Sequence, residues 1–511
     1  AAKAGAAAPR RGARPRLDRT RTRAQAPAQR YAETAKMMLL RTTLLTAFLA
    51  AAASAAQQVR QARRRLTADC YLNGDPNACR LSSFAKGVPQ VIEAGGDTGC
   101  IFGDAFQFQV TRGSSKKVLV YFEENGACID AVTTLGLLPE LGGAPQCTTT
   151  PTFSDGGVLD VSDNRNPFKK YTIVDVGYCS GDLYIGDKNT TYVGPGGPVD
   201  ASYRGKANTQ IVLDWLVAQQ AYGDIEDDDD DLKLALVGEN FGGIGVQNWG
   251  VKFVSALGHP EDVTIIVDSG FGVFPENAIQ LIEPNINPCP FFDTPMVAAK
   301  CSAGTLTQAD VTLDQFSHLD HSVKYTFASI KQDFLQTGTY NLILGVVVAA
   351  GIPTTSLPFL DGGGQPDATQ FYDEANLLLQ GYIDAGADFI AFWVDDGGAS
   401  AVSTLTDEAR FFDAVSSSPG FSGDTGEVDT LFCWVKAVRK LDTDDDDNEV
   451  CTQCAPQTAA NILDIPPFPA AADPRRGEYC EVDVLAQCIG GGDDDDEAVE
   501  EGPTRRGARQ G

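Results

Sequence analysis

The chain of 511 residues carries 40 Lys and Arg against 69 Asp and Glu, a formal net charge of −29. Such an imbalance excludes a nucleic-acid partner, because that binding depends on Lys and Arg neutralising phosphates, while it says little about fold. The 13 cysteines, together with a leader segment, point to an oxidising compartment.

Residues 1–36 precede the first methionine and are rich in Ala, Arg and Pro. They read as upstream or disordered extension, with a plastid-type transit segment as the alternative. Met37, Met38 and Arg41, the apolar run Leu44 to Ala53, and the small residues Ser54, Ala55 and Ala56 give residues 37–56 the form of a secretory signal peptide, too short to span a bilayer. A basic linker follows over 57–69. No later segment is apolar enough for a membrane span, so the expected product is secreted, monomeric and without a transmembrane segment.

From about Lys117 short β-branched runs alternate with amphipathic stretches, the pattern of helices packed on a mainly parallel sheet. Strands are expected at Val118 to Phe122, Thr172 to Val176, Leu232 to Val237, Val263 to Val267, Leu342 to Val348 and Phe389 to Val394. Helices are expected at Asn208 to Tyr222, Gly243 to Leu257, Thr369 to Ala385 and Leu431 to Leu441. The Asp runs at 227–231, 444–447 and 493–496 mark solvated loops and tails, since they lack the alternating ligands and turn of a calcium loop. A single α/β domain over 70–455 is expected, followed by an acidic, mostly disordered tail over 456–511.

Close spacing suggests short disulfide loops at Cys70 and Cys79, Cys289 and Cys301, and Cys480 and Cys488, with Cys128, Cys147 and Cys179 cross-linking the strand ends; connectivity itself is not readable from spacing. Cys451 and Cys454 form a C-x-x-C without the second pair that a zinc site needs, and Cys433 is the expected odd thiol. His318 and His321 could share a helix face and bind metal, but no further ligands accompany them, so no metal and no cofactor are expected. Asn189-Thr190-Thr191 is a glycosylation acceptor on an exposed loop.

The stretch Leu232 to Gly243, LKLALVGENFGG, reads as a buried strand, a sharp turn and a helix. A hydrolase elbow of this shape carries G-x-S-x-G; Gly238, Glu239, Asn240, Phe241 and Gly242 fill the frame, with Asn240 where the nucleophile would stand. The amide of Asn cannot be turned into an activated alkoxide. The three histidines are His259, His318 and His321, and none follows the last expected strand, where the chain order Ser, acid, His would put the base.

The segments NPFKKYTIVDVGYCSGDLYIGD (166–187) and YRGKANTQIVLDWL (203–216), followed by the elbow, resemble the pectin acetylesterase and Notum family. The likeness runs from about Cys100 to Cys454, and the block Tyr178, Cys179, Gly181, Asp182, Gly186 and Asp187 carries most of it. The resemblance implies an α/β-hydrolase-like, disulfide-stabilised fold. It puts the family nucleophile on Asn240 and the residue whose N–H stabilises the oxyanion on Phe241. The family's H-L-E-G-G-G-W-C loop falls on Tyr121 to Cys128, with Asn125 and Gly126 as oxyanion-loop equivalents. There Glu124, Asn125 and Ala127 replace two glycines and a tryptophan, and a carboxylate beside a developing oxyanion opposes it. The acid, expected after the strand Leu342 to Val348, falls on Gly351 or Ile352, and the histidine on Ala399 or Ser400.

The expected function is that of a secreted pseudoenzyme binding an acylated polysaccharide or a glycoprotein. The alternative is an active ester hydrolase that uses Ser180, Ser269 or Ser400 with Asp395 or Asp396.

Overall fold

Continuous apolar runs such as VLVYF, YTIVDV and TIIV suit strands covered on both faces, as in a parallel sheet with helices on each side. A computed structural model describes residues 68–137, 143–229, 231–320, 323–330, 333–361, 364, 366–387, 389–394 and 406. The strands are β1 (Cys70–Tyr71), β2 (Pro89–Glu93), β3 (Gln107–Thr111), β4 (Ser114–Phe122), β5 (Tyr171–Val176), β6 (Lys188–Gly194), β7 (Gly197–Tyr203), β8 (Lys233–Glu239), β9 (Asp262–Asp268), β10 (Lys324–Ile330) and β11 (Ile390–Val394). The helices are α1 (Ala131–Leu135), α2 (Gly205–Ala221), α3 (Phe241–Ala256), α4 (Ile279–Ile286), α5 (Pro295–Ser302), α6 (Gln308–His318), α7 (Phe334–Ala349) and α8 (Ala368–Asp384).

Nine strands form one sheet in the order β1-β2-β3-β5-β4-β8-β9-β10-β11. β3 runs antiparallel to both β2 and β5, and the other pairings are parallel. This is the α/β-hydrolase-like architecture expected from the sequence. Register aligns Phe122 with Gly238, Gly238 with Val267, and Asp268 with Ala328, so the carboxyl ends of β4, β8, β9 and β10 open onto one edge. α3 packs on β8 and β9 and is buried nearly all round, with Trp249 and Phe253 in its core. The remaining pair, β6 and β7, is an antiparallel hairpin outside the sheet.

One expected strand is corrected. Leu342 to Val348 lies inside α7, whose buried positions Thr337, Tyr340, Leu344 and Val347 recur at helical spacing while Val348 is exposed. The valines suggested a strand by their intrinsic preference, but the period of the buried side decides. Asp333 caps this helix by accepting from Gln336 N at 2.8 Å. The strand β10, absent from the sequence reading, takes the place in the sheet beside β9.

Disulfides join Cys70 to Cys79, Cys289 to Cys301, Cys128 to Cys147 and Cys100 to Cys179. The first two are the short loops that spacing suggested. Cys179 pairs with Cys100, 79 residues away, a partner that no spacing argument reaches. Cys433, Cys451, Cys454, Cys480 and Cys488 lie outside the described residues, as do the helix expected at Leu431 to Leu441 and the acidic tail. Among the described residues no helix is long and apolar enough to cross a membrane.

Candidate active site at the β8–α3 elbow

β8 ends at Glu239 and α3 begins at Phe241, leaving Asn240 alone on the turn. Its backbone angles, φ 49° and ψ −111°, lie in a sparsely populated region that costs roughly 1–3 kcal/mol and persists only where neighbours impose it. They do so here. Asn240 N donates to Asp268 O at 2.6 Å, and Asn240 O accepts from Ile244 N at 3.3 Å. Gly242 has to be glycine, because a Cβ there would fall on the Phe122 carbonyl. The strand-turn-helix frame of an activated nucleophile is thus intact, and the side chain it presents is an amide. Asn240 is 5% exposed, and its Nδ2 lies 3.5 Å from Glu124 Oε1.

Glu124 belongs to the loop that follows β4. Glu123, before it, is turned inward: its Oε1 accepts from Ser154 N at 2.6 Å and its Oε2 from Ser154 Oγ at 3.2 Å, while its carbonyl accepts from Tyr184 OH at 2.6 Å. Asn125 is also turned away, with Oδ1 accepting from Thr148 Oγ1 at 2.8 Å and Thr152 Oγ1 at 3.2 Å. Gly126 bridges to Cys147, whose disulfide to Cys128 closes the loop. Phe241, at the start of α3, is buried. The charge that the loop brings to the elbow is therefore the Glu124 carboxylate, opposite in sense to an oxyanion hole.

Behind this loop Asp175 is fully buried on β5. Burial, then the charge and carboxyl of Glu123, push its pKa well above the usual carboxylate range. Neither Asp175 oxygen meets an amide or alcohol donor.

The Tyr178 to Asp187 block acts as a bolt. Tyr178 stacks on Tyr184 with centroids 4.5 Å apart, and its hydroxyl accepts from Leu183 N at 2.8 Å. Asp182 accepts from Ser180 Oγ at 2.7 Å and from Gly205 N at 2.7 Å, tying the block to the start of α2. Burial raises the Asp182 carboxyl to about 6 against the lowering pull of these donors.

Ser180 is therefore buried and committed to Asp182. Ser269 is 0% exposed, with φ 59°, and its Oγ donates to Asp268 Oδ1 at 3.0 Å. The other oxygen, Asp268 Oδ2, accepts from Thr406 N at 2.7 Å and Thr406 Oγ1 at 2.9 Å. Gly351 is exposed just beyond the end of α7. Its assignment to the acid position rested on a strand that is a helix, and that basis is withdrawn. The first acidic residue in the chain after β10 is Asp333, which the sequence reading did not single out. It is 1% exposed, with Oδ2 accepting from Gln336 Nε2 at 2.7 Å. Its signal was available as an Asp three residues before a Gln at a helix start.

Ala399, Ser400, Asp395, Asp396 and His321 lie outside the described residues. His318 is at the exposed end of α6, its Nδ1 2.7 Å from Asp314 O. Asn189 is exposed, but on strand β6 of the hairpin rather than on a loop, with Oδ1 accepting from Ser202 Oγ at 2.9 Å.

Residues 94–280, which include the elbow and the loop after β4, match the pectinacetylesterase family model. No sequence among the curated proteins matches the chain. Among solved structures, the Wnt deacylase Notum from Drosophila is similar in two crystal forms. One shows 18% identity and a TM-score of 0.40 over 59% of this chain and 83% of that one. The other shows 16% identity and a TM-score of 0.41 over 62% and 85%.

Proposed function

With residues 94–280 matching the pectinacetylesterase family, we propose that this chain is a secreted, catalytically silent relative of carboxylic ester hydrolases that works by binding an acylated glycan or a glycoprotein. The observation that carries the reading is Asn240, held in the backbone posture of an elbow nucleophile with Glu124 Oε1 3.5 Å from its amide. Losing the nucleophile of a triad costs on the order of a millionfold in turnover. Within this reading Asp333, which follows β10 in the chain, takes the acid position, since the order nucleophile, acid, base is the order of an α/β-hydrolase chain.

Support for a binding role is that the scaffold around the elbow is kept in detail while its chemistry is replaced. The Asp268, Gly242 and Tyr178 to Asp187 contacts still shape the edge of the sheet where ligands of α/β folds sit. Four disulfides favour an oxidising compartment, and Asn189 is proposed to carry a glycan.

The test is hydrolysis of 4-nitrophenyl acetate and of acetylated pectin by the purified protein, alongside binding of the same pectin. Binding without turnover above the buffer rate is the expected result. Turnover that disappears in Ser269→Ala or Ser400→Ala but persists in Asn240→Ala would overturn it in favour of a displaced site.

A further inference from the structure

Residues 334–360, which form α7 and the chain that returns along it, hold no Asp, Glu, Lys, Arg or His, although 21% of the protein's residues are charged. A surface helix ordinarily turns charged and polar residues to solvent, and α7 does not. Its inner side carries Thr337, Tyr340, Ile343, Leu344 and Val347, all buried. On the opposite side Leu335, Gly338, Leu342, Gly345 and Ala349 recur at alternate spacings of three and four, the heptad seam by which one helix packs along another. None of the five is buried: Leu335 is 40% exposed, Ala349 is exposed, and Gly338, Leu342 and Gly345 are half-buried. A Cβ at Gly345 would stand in open space. The returning chain adds Leu357, 75% exposed. It is held beside the helix by Phe359, whose ring stacks on Tyr340 at 3.9 Å and whose N donates to Asn341 Oδ1 at 2.8 Å.

We propose that this face is the contact of a twofold-symmetric dimer, with α7 of one copy lying antiparallel on α7 of the other, rather than the monomer expected from the sequence. The order of large and small residues selects a second copy as the occupant. Around a centre midway between Gly338 and Leu342, an antiparallel pairing sets Leu335 against Gly345 of the partner subunit and Leu342 against Gly338 of the partner subunit, and the symmetry repeats both contacts. Each leucine of the seam thus meets a glycine, the alternation of large and small that close packing needs. A parallel pairing would set leucine on leucine and glycine on glycine. Charge selects the same face. Each copy carries a net −29, so two copies repel wherever ionised side chains approach, and residues 334–360 bring none. With 16 residues, α7 is about 24 Å long at roughly 1.5 Å per residue. Its seam is smaller than the roughly 800 Å² per partner of a standard interface, so the dimer dissociates in the micromolar range. The contact includes neither Asn240 nor Glu124 and stands whether or not the elbow binds a glycan.

Sedimentation equilibrium of the full chain over a micromolar concentration series tests this. The average mass is expected to rise with concentration toward twice that of the monomer. Gly345→Leu fills the glycine hole while favouring the helix itself, so it is expected to stay monomeric throughout, with a melting temperature no lower than that of the wild type. Leu335→Lys puts a charge into the seam and is expected to weaken association at least about tenfold. When Leu335→Gly is combined with Gly345→Leu, each leucine again faces a glycine, and dimerisation is expected to return. Gly345→Leu and Leu335→Lys carry the test if this exchanged variant does not fold. A wild type that is monomeric at every concentration would overturn the proposal, and its cosedimentation with phosphatidylcholine vesicles would then give the face to a membrane. Dimerisation that survives Gly345→Leu, or a loss that the folded exchanged variant does not repair, would overturn it equally.

Discussion

Glu124 Oε1 stands 3.5 Å from Asn240 Nδ2, so a carboxylate occupies the neighbourhood in which an ester hydrolase stabilises negative charge. On the silent-enzyme reading proposed above, replacing the nucleophile and replacing the electrostatics are compatible changes. An amide at residue 240 tolerates a carboxylate neighbour, and a developing oxyanion would not.

Asn240→Ser alone is therefore expected to remain at the buffer rate for 4-nitrophenyl acetate. The combination of Asn240→Ser, Glu124→Gly and Ser400→His is expected to exceed that rate by at least about a hundredfold, the scale of one oxyanion-type contribution. Rapid turnover by the single variant would mean that a base and an oxyanion hole were in place all along.

The same rebuilt variant distinguishes Asp333 from Gly351 as the acid position. Adding Asp333→Asn should lower kcat by roughly 10²- to 10⁴-fold, the upper end being the loss seen when a triad acid becomes an amide. Gly351→Ala should change kcat by less than about twofold. Equal effects would remove Asp333 from the site.

Asp182 makes stability depend on pH. Its folded pKa of about 6 stands above the unfolded value of 3.8, so the native state binds more protons between these limits. Stability from this group is greatest below pH 3.8 and falls as pH rises through about 6, by roughly 3 kcal/mol at one pKa unit per 1.36 kcal/mol. Urea midpoints of wild type and Asp182→Asn, measured at pH 3.5 and pH 7, should show that contribution in wild type and its loss in the variant. Parallel pH profiles for the two proteins would contradict the assignment.

Asp268 is predicted to be structural. Its carboxylate accepts from Thr406 twice and from Ser269 once, all within the core, so Asp268→Ala should destabilise by about 2–4 kcal/mol in urea unfolding. Thr406→Ala should cost about 1–2 kcal/mol. A change below about 0.5 kcal/mol in both variants would show that the Thr406 contact contributes nothing to the fold.

The sheet was legible where strands are buried on both faces, because runs such as Leu234 to Val237 and Val263 to Val267 leave no helical reading. The elbow was legible for a local reason, since five consecutive residues define it. What escaped depended on distance along the chain. Cys100 meets Cys179 only because β5 lies between β3 and β4 in the sheet, and Asp333 takes its place only once β10, rather than residues 342–348, is the strand beside β9. The valines of α7 misled because strand preference and helical period disagreed, and burial followed the period. The acidic turn of the loop after β4 could be read as composition, but the contact of Glu124 with Asn240 needed the fold.

The two longer-range disulfides divide the molecule by durability. Cys100–Cys179 ties the turn before β3 to the Tyr178 to Asp187 block, and Cys128–Cys147 closes the loop after β4, while none of these four cysteines lies within a strand of the sheet. Thiol reduction would therefore loosen these loops beside the elbow before it threatened the sheet. A protein whose task is recognition could then lose its partner in a reducing environment while still giving the spectrum of a folded chain.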